Sequence, residues 1–126
     1  MNSVLILKTM ISTTTVGNIA TYLKKEKSKT VAICNTNTLV RSYRDTVIRD
    51  KINSFDIKAP DGFPVAKSSK ILYKNNQNRV DGFKVFHKTI EAGVNEGLTH
   101  YFYGSNKKVM GLMIKNLKLI YPKINI

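Results

Sequence analysis

TVAICNTNTLVRSYRDTVIRDKINSFDIKAPDG, residues 30–62, decides the fold class. TVAIC at its head is a buried-strand pattern, short and rich in β-branched residues. Residues 37–53 then space Leu39, Val40, Tyr43, Val47, Ile48 and Ile52 along one helical face. SFDIKA is short and extended, and it closes at the Pro60 turn. Strand, helix and strand in that order predict a parallel pair joined by a right-handed crossover.

The same alternation runs outward in both directions. Toward the N-terminus, SVLILKTMI reads as a first strand, and residues 13–27 set Val16, Ile19, Ala20 and Leu23 at helical spacing behind threonines able to cap. Toward the C-terminus, PVAKSSKILYK is helix-like with a proline near its start, and NNQN is a polar loop. RVDGFKVFHKTIEAGVNEG carries a helix that its glycines end, LTHYFYG reads as a strand, residues 105–121 form a final helix, and KINI begins another strand. The expected fold is α/β, a Rossmann-like parallel sheet flanked by helices. Its last strand stops inside an apolar run, so the chain reads as truncated, and the unpaired sheet edge invites self-association.

At 126 residues the chain fits one domain. No apolar run approaches the roughly 20 residues that a membrane span needs. Lys8 interrupts the weakly apolar N-terminus and no charged region precedes it, so a secretory leader is not expected and the cytoplasm is the expected compartment. The single Cys34, inside TVAIC, reads as a small core hydrophobe. Twenty-one Lys and Arg against eight Asp and Glu leave a net charge of +13. Such an excess attracts nucleic acid, anionic lipid headgroups or phosphorylated substrates and does not choose among them. The basic residues are dispersed, with no Arg-rich tract or RNA-binding aromatic signature, which argues against nucleic acid.

Ligands of open parallel sheets bind at the carboxyl ends of strands. Three loops qualify: CNTNT, APDG and YGSNKK, which carry Asn35, Asp61, and Gly104 with Ser105. Asp61 in KAPDGFPVAKS is the candidate base, since a single carboxylate suffices to take a proton from an attacking hydroxyl. Pro-Asp-Gly is also an ordinary turn in which the aspartate bonds its own backbone. The last helix could offer its N-terminal N–H groups to a phosphate, although a Gly-Ser turn there also serves simply as a cap. No Asp-x-Asp pair is present, and His87, His100 and Cys34 lack metal-ligand spacing, so neither a metal nor another cofactor is expected. Arg79 has a planar fork that suits phosphate oxygens, or else pairs with its neighbour Asp81.

The ordered set NTNTLV, APDGFPVA, NRVDGF, YFYGS and IYPKINI resembles the N-terminal half of the WecG/TagA/CpsF glycosyltransferases over roughly residues 14–126. The resemblance implies a donor-binding domain spanning 1–126. It implies inverting, metal-independent transfer of N-acetylmannosamine or a related hexose from a UDP-sugar to a polyprenyl-diphosphate-linked sugar, for surface polysaccharide or teichoic acid synthesis. The setting implied is the inner face of the cell membrane, held peripherally. By position, the family's proposed base falls on Asp61, its diphosphate arginine on Arg79 in Arg-Val-x-Gly, and its asparagine on Asn35. Three positions depart from the pattern: Ile33 stands where a threonine is common, Asp81 where a small residue is usual, and Lys84 where an aspartate is usual. Family members are longer, so two other readings stand beside the enzyme: a truncated UDP-binding remnant without turnover, and a small basic nucleic-acid-binding protein.

Overall fold

The computed structural model describes residues 2–26 and 28–126. In chain order it has β1 (Ser3–Ile6), β2 (Thr9–Ser12), α1 (Val16–Lys25), β3 (Val31–Cys34), α2 (Thr36–Arg44), α3 (Thr46–Asn53), β4 (Ile57–Pro60), α4 (Phe63–Tyr73), α5 (Gly82–Asn95) and α6 (Lys107–Ile120). The class is α/β, as the alternation predicts. β3 and β4 run parallel, in a register from Val31 opposite Ile57 to Cys34 opposite Pro60.

The crossover between them is two helices rather than one. Asp45 takes an extended conformation (φ −125°, ψ 117°), its N–H closes α2 on the Arg41 carbonyl, and its carboxylate caps Val47 and Ile48 at the start of α3. Aspartate competes for the backbone in this way, and the apolar spacing on either side hides the break.

The expected first strand is instead a hairpin. Leu7 and Lys8 both have positive φ, 46° and 62°, and fold β1 back on β2 with Ile6 opposite Thr9. Two-residue turns of that kind favour Asn-Gly, so Leu-Lys gives no warning in the sequence. The hairpin lies against β4, where the Lys58 N–H donates to Ser12 Oγ at 3.0 Å, and Tyr73 at the end of α4 donates to the Leu5 carbonyl at 2.6 Å. LTHYFYG also departs from expectation, because its pairing ends at the parallel bridge of Thr99 to Asn125 within KINI and the His100 N–H bond to the Asn125 carbonyl. Beyond it the chain swings outward, with Tyr101 and Tyr103 exposed and Gly104 and Ser105 at positive φ.

Alternation along the parallel strands splits the core. Ile57 and Ala59 of β4 face Ile19 of α1 and Val80 and Val85 around the start of α5. Ala32 and Cys34 of β3 turn the other way, onto Ile6, Ile11, Leu39 and Val65. Cys34 is fully buried, as its setting predicts, and burial pushes its thiol up to about 11. A third cluster, Ile90, Leu117 and Ile124, fastens α6 to α5.

Two charged residues fix the strand ends. Lys58 is 8 % exposed, and its ammonium donates to the carbonyls of Phe55 (2.7 Å) and Asn53 (3.4 Å), groups that the end of α3 leaves unpaired. Asp56 accepts from the Thr30 N–H (2.9 Å), the Thr30 hydroxyl (2.8 Å) and the Lys29 ammonium (3.2 Å), which pins the entry to β3 beside the entry to β4. These contacts, the Thr30 N–H first, lower the Asp56 carboxyl from 3.8 to about 2. A depressed folded-state value stabilises the fold above the ordinary carboxylate range and withdraws that stability as the pH falls. Melting temperature is therefore expected to drop between pH 4 and pH 2, and Asp56→Asn to flatten that decline, as read by circular dichroism melts across the interval.

Candidate active site

Parallel pairing sets the first two site residues side by side. Cys34 is opposite Pro60, so Asn35 and Asp61 are the next residues out on neighbouring strands. The Asp61 N–H donates to the Cys34 carbonyl at 3.0 Å, which extends the ladder one step past the last paired residue. Gly62 follows at φ 84°, a conformation that glycine takes without strain, and turns the chain into α4 with Pro64 in its first turn. Asp61 is half-buried, and among the described residues its carboxylate has no hydrogen-bond partner. Asn35 caps α2: its side-chain oxygen accepts from the Thr38 N–H (3.0 Å) and hydroxyl (3.1 Å), leaving the amide donors for a ligand.

Arg79 reaches the same edge by a different route. The Val80 N–H donates to the Pro60 carbonyl at 2.9 Å, which lays Arg79-Val80-Asp81-Gly82 against the tip of β4. Arg79 pairs with Asp81, as one of its two sequence readings expects. Asp81 also accepts from the N–H groups of Phe83 and Lys84 at the start of α5. Desolvation works to raise Asp81, but the Lys84 and Phe83 N–H groups and the Arg79 charge outweigh it and hold the carboxyl below its ordinary value. A cleft of about 530 Å³ opens here, lined by Thr14, Gly17, Arg79, Asp81 and Lys84. Arg79 and Lys84 face it together with the Asp81 carboxylate that pairs with Arg79, which leaves one cation in excess for a phosphate oxygen, and neither Asn35 nor Asp61 lines it.

Gly82 packs closely on Ile33. A methyl group there would stand 3.0 Å from Ile33 Cγ2 and 3.7 Å from Asp61 Oδ2. Gly82→Ala is expected to destabilise the protein by about 1 kcal/mol through this overpacking. The same change in an Ile33→Ala background should recover most of that loss, and a double-mutant cycle by urea denaturation measures the coupling.

Gly104 and Ser105 are not brought into this group. They line a separate cleft of about 880 Å³, built from residues 101–114 alone and sharing none with the cleft at Arg79. LTHYFYG does not continue as a strand beside β4, so nothing carries its loop to the same edge. The cap of α6 is Asn106, which accepts from the Val109 N–H. Sequence reading missed Gln77, which sits inside the polar NNQN yet is 3 % exposed. Its amide clamps Thr14, accepting from the N–H and donating to the carbonyl, both at 2.8 Å. A lone glutamine in a loop leaves no periodic trace.

Residues 4–126 match the model of the glycosyl transferase WecG/TagA/CpsF family. Two curated proteins, from Bacillus spizizenii and Bacillus subtilis, both bear the name N-acetylglucosaminyldiphosphoundecaprenol N-acetyl-beta-D-mannosaminyltransferase. The first is 26 % identical over 106 residues, 84 % of this chain, and the second 22 % over 105 residues, 83 % of this chain. This chain spans 41 % of the length of each.

Proposed function

Because the chain belongs to the WecG/TagA/CpsF glycosyltransferase family, we propose that it supplies the base and the diphosphate contact of a glycosyl transfer. The donor is a UDP-linked N-acetylmannosamine or related hexose, and the acceptor a polyprenyl-diphosphate-linked sugar of bacterial surface-polymer synthesis. The relatives' shared name supports that substrate class. In this reading residues 1–126 form a single donor-binding domain working at the inner face of the membrane.

The acceptor hydroxyl attacks the anomeric carbon as the bond to the UDP oxygen breaks, which inverts the configuration. Asp61 takes the hydroxyl proton. Negative charge grows on the departing diphosphate, and Arg79, with Lys84 beside it, meets that charge, so the step needs no metal clamp. Asn35 donates its amide N–H groups to the sugar. Gly104 and Ser105, in their own cleft, have no part in this step.

The observation that supports the reading best is the register. Asn35 and Asp61 leave adjacent parallel strands together, and the Val80–Pro60 hydrogen bond holds the segment that carries Arg79 at the tip of β4, with the Arg79 side chain in a cleft that neither Asn35 nor Asp61 lines. The test supplies UDP-N-acetylmannosamine with a polyprenyl-diphosphate N-acetylglucosamine acceptor and follows UDP release. Release that requires both substrates is expected. UDP binding without release would leave a nucleotide-binding unit, and steeply salt-dependent binding to duplex DNA with no affinity for UDP would overturn the proposal.

A further inference from the structure

Between α2, α4 and the β1–β2 hairpin lies a groove of about 230 Å³ that the transfer step does not use. Its floor is Ile6, Leu39 and Val65, each at most 5 % exposed. Pro64, Ser68 and Leu72 follow one another at spacings of four along α4 and make one wall. The Ser68 hydroxyl donates back to the Pro64 carbonyl at 2.8 Å, so that wall asks little that is polar of a ligand. Leu7, at the hairpin turn, adds an apolar rim; it is 45 % exposed and Leu72 63 %. The Tyr73 hydroxyl on the Leu5 carbonyl ties the end of α4 to the hairpin.

The mouth of the groove is at the candidate active site. Thr36 directly follows Asn35, and Pro64 stands three residues after Asp61, both at the carboxyl edge of the parallel pair. From that edge α2 and α4 run back over the sheet, and the groove follows them toward the hairpin turn.

Charge narrows the choice of occupant. Residues 3–12, 36–44 and 63–73, which build the groove, contain no Asp or Glu and carry Lys8, Arg41, Arg44, Lys67 and Lys70. The Lys67 ammonium lies 5.5 Å from the centre of the Phe63 ring, at the start of α4 where the groove opens. An apolar trough in acid-free, cationic surroundings fits a ligand made of an apolar chain with an anionic end. A second copy of a chain with net charge +13 would instead be repelled.

We propose that this groove holds the isoprenoid chain of a prenyl diphosphate, with Ser68 and Leu72 in contact with the chain. The proposal rests on the transferase reading in that the acceptor's sugar then reaches Asp61 from the mouth of the groove. Its test uses neither UDP-sugar nor sugar acceptor, so the two fail separately.

The chain is titrated calorimetrically with farnesyl diphosphate, kept below the concentration at which it forms micelles, and with inorganic pyrophosphate. Farnesyl diphosphate should bind at least about tenfold more tightly, through the apolar surface that it buries. Ser68→Phe, which fills the groove, should lower farnesyl diphosphate affinity about tenfold, and Leu72→Gln about fivefold, with pyrophosphate affinity within about twofold of the parent in both. Ile71→Gln is the control: Ile71 is 66 % exposed on the same helix but does not line the groove, and its change should alter farnesyl diphosphate binding by less than about twofold. Leu72 and Ile71 are both exposed, so unchanged circular dichroism is expected there, and this pair decides the matter if Ser68→Phe fails to fold. Farnesyl diphosphate binding no tighter than pyrophosphate, indifference to Leu72→Gln, or an equal loss in Ile71→Gln would each overturn the assignment. So would a dimer in solution that Leu72→Gln dissociates, because the groove would then receive a second copy of this chain. Farnesyl diphosphate bound as expected, with no UDP release in the transfer assay, would uphold the groove and remove the transferase reading.

Discussion

Asp61→Asn should lower sugar transfer by a factor on the order of 10² to 10⁴ while leaving UDP affinity within about twofold. The asparagine keeps the shape and polarity of the side chain and removes only its capacity to accept a proton from the acceptor hydroxyl. Little else depends on the carboxylate. The turn is held by the Asp61 backbone N–H on the Cys34 carbonyl and by the Gly62 conformation, and the substitution touches neither. The melting temperature should therefore stay within about 2 °C of the parent, a surface-scale effect. Asp61→Ala should lose transfer to the same extent. Turnover is measured as UDP release with donor and acceptor saturating, and affinity by calorimetric titration with UDP. Parent-level turnover in Asp61→Asn would remove this carboxylate from the chemistry. A joint loss of turnover and UDP affinity would make it a donor-binding group instead.

That expectation was legible in the chain because parallel pairing is a strong constraint. Once TVAIC and SFDIKA are read as neighbouring strands, the residues that follow them have to emerge on one edge, and Asn35 and Asp61 do. Arg79 was reachable only through resemblance, since nothing in its own surroundings announces the Val80–Pro60 hydrogen bond that places it. The misreadings have separate physical causes, each local and invisible to apolar spacing. Asp45 caps a new helix inside an unbroken apolar pattern, and Leu7 and Lys8 turn a hairpin that lacks the usual turn residues. In LTHYFYG the aromatic run suggests a strand, but its pairing ends at the Thr99–Asn125 bridge and the His100 N–H bond to the Asn125 carbonyl, and the loop that holds Gly104 and Ser105 leaves the edge where they were expected. Lys58 shows the converse, a charged residue at a buried strand position that no hydropathy pattern predicts, satisfied there by the carbonyls at the end of α3.

Gln77→Ala is expected to be the most damaging single change outside the hydrophobic core, and to act at the site from a distance. The loop from α4 to α5 has little apolar content and is stitched down by side-chain amides. Asn75 bonds Ser69, Gln77 bonds Thr14, and Val80 then bonds Pro60. Removing the Gln77 amide strands both the N–H and the carbonyl of Thr14, a residue only 4 % exposed. Two unsatisfied buried backbone groups cost about 3 kcal/mol together, a fall in melting temperature on the order of 10 °C for a domain of this size. Asn76→Ala, one residue earlier and exposed, should cost less than about 0.5 kcal/mol. Thr14 and Arg79 line the same cleft, and Gln77 is the tie between their two segments. Loosening it frees Arg79 to sample positions away from the tip of β4, so UDP affinity should fall even at temperatures where Gln77→Ala remains folded. Melting curves and UDP titrations at 15 °C separate the two effects: lost stability with intact affinity would confine Gln77 to the fold, and unchanged melting would show that water replaces the clamp.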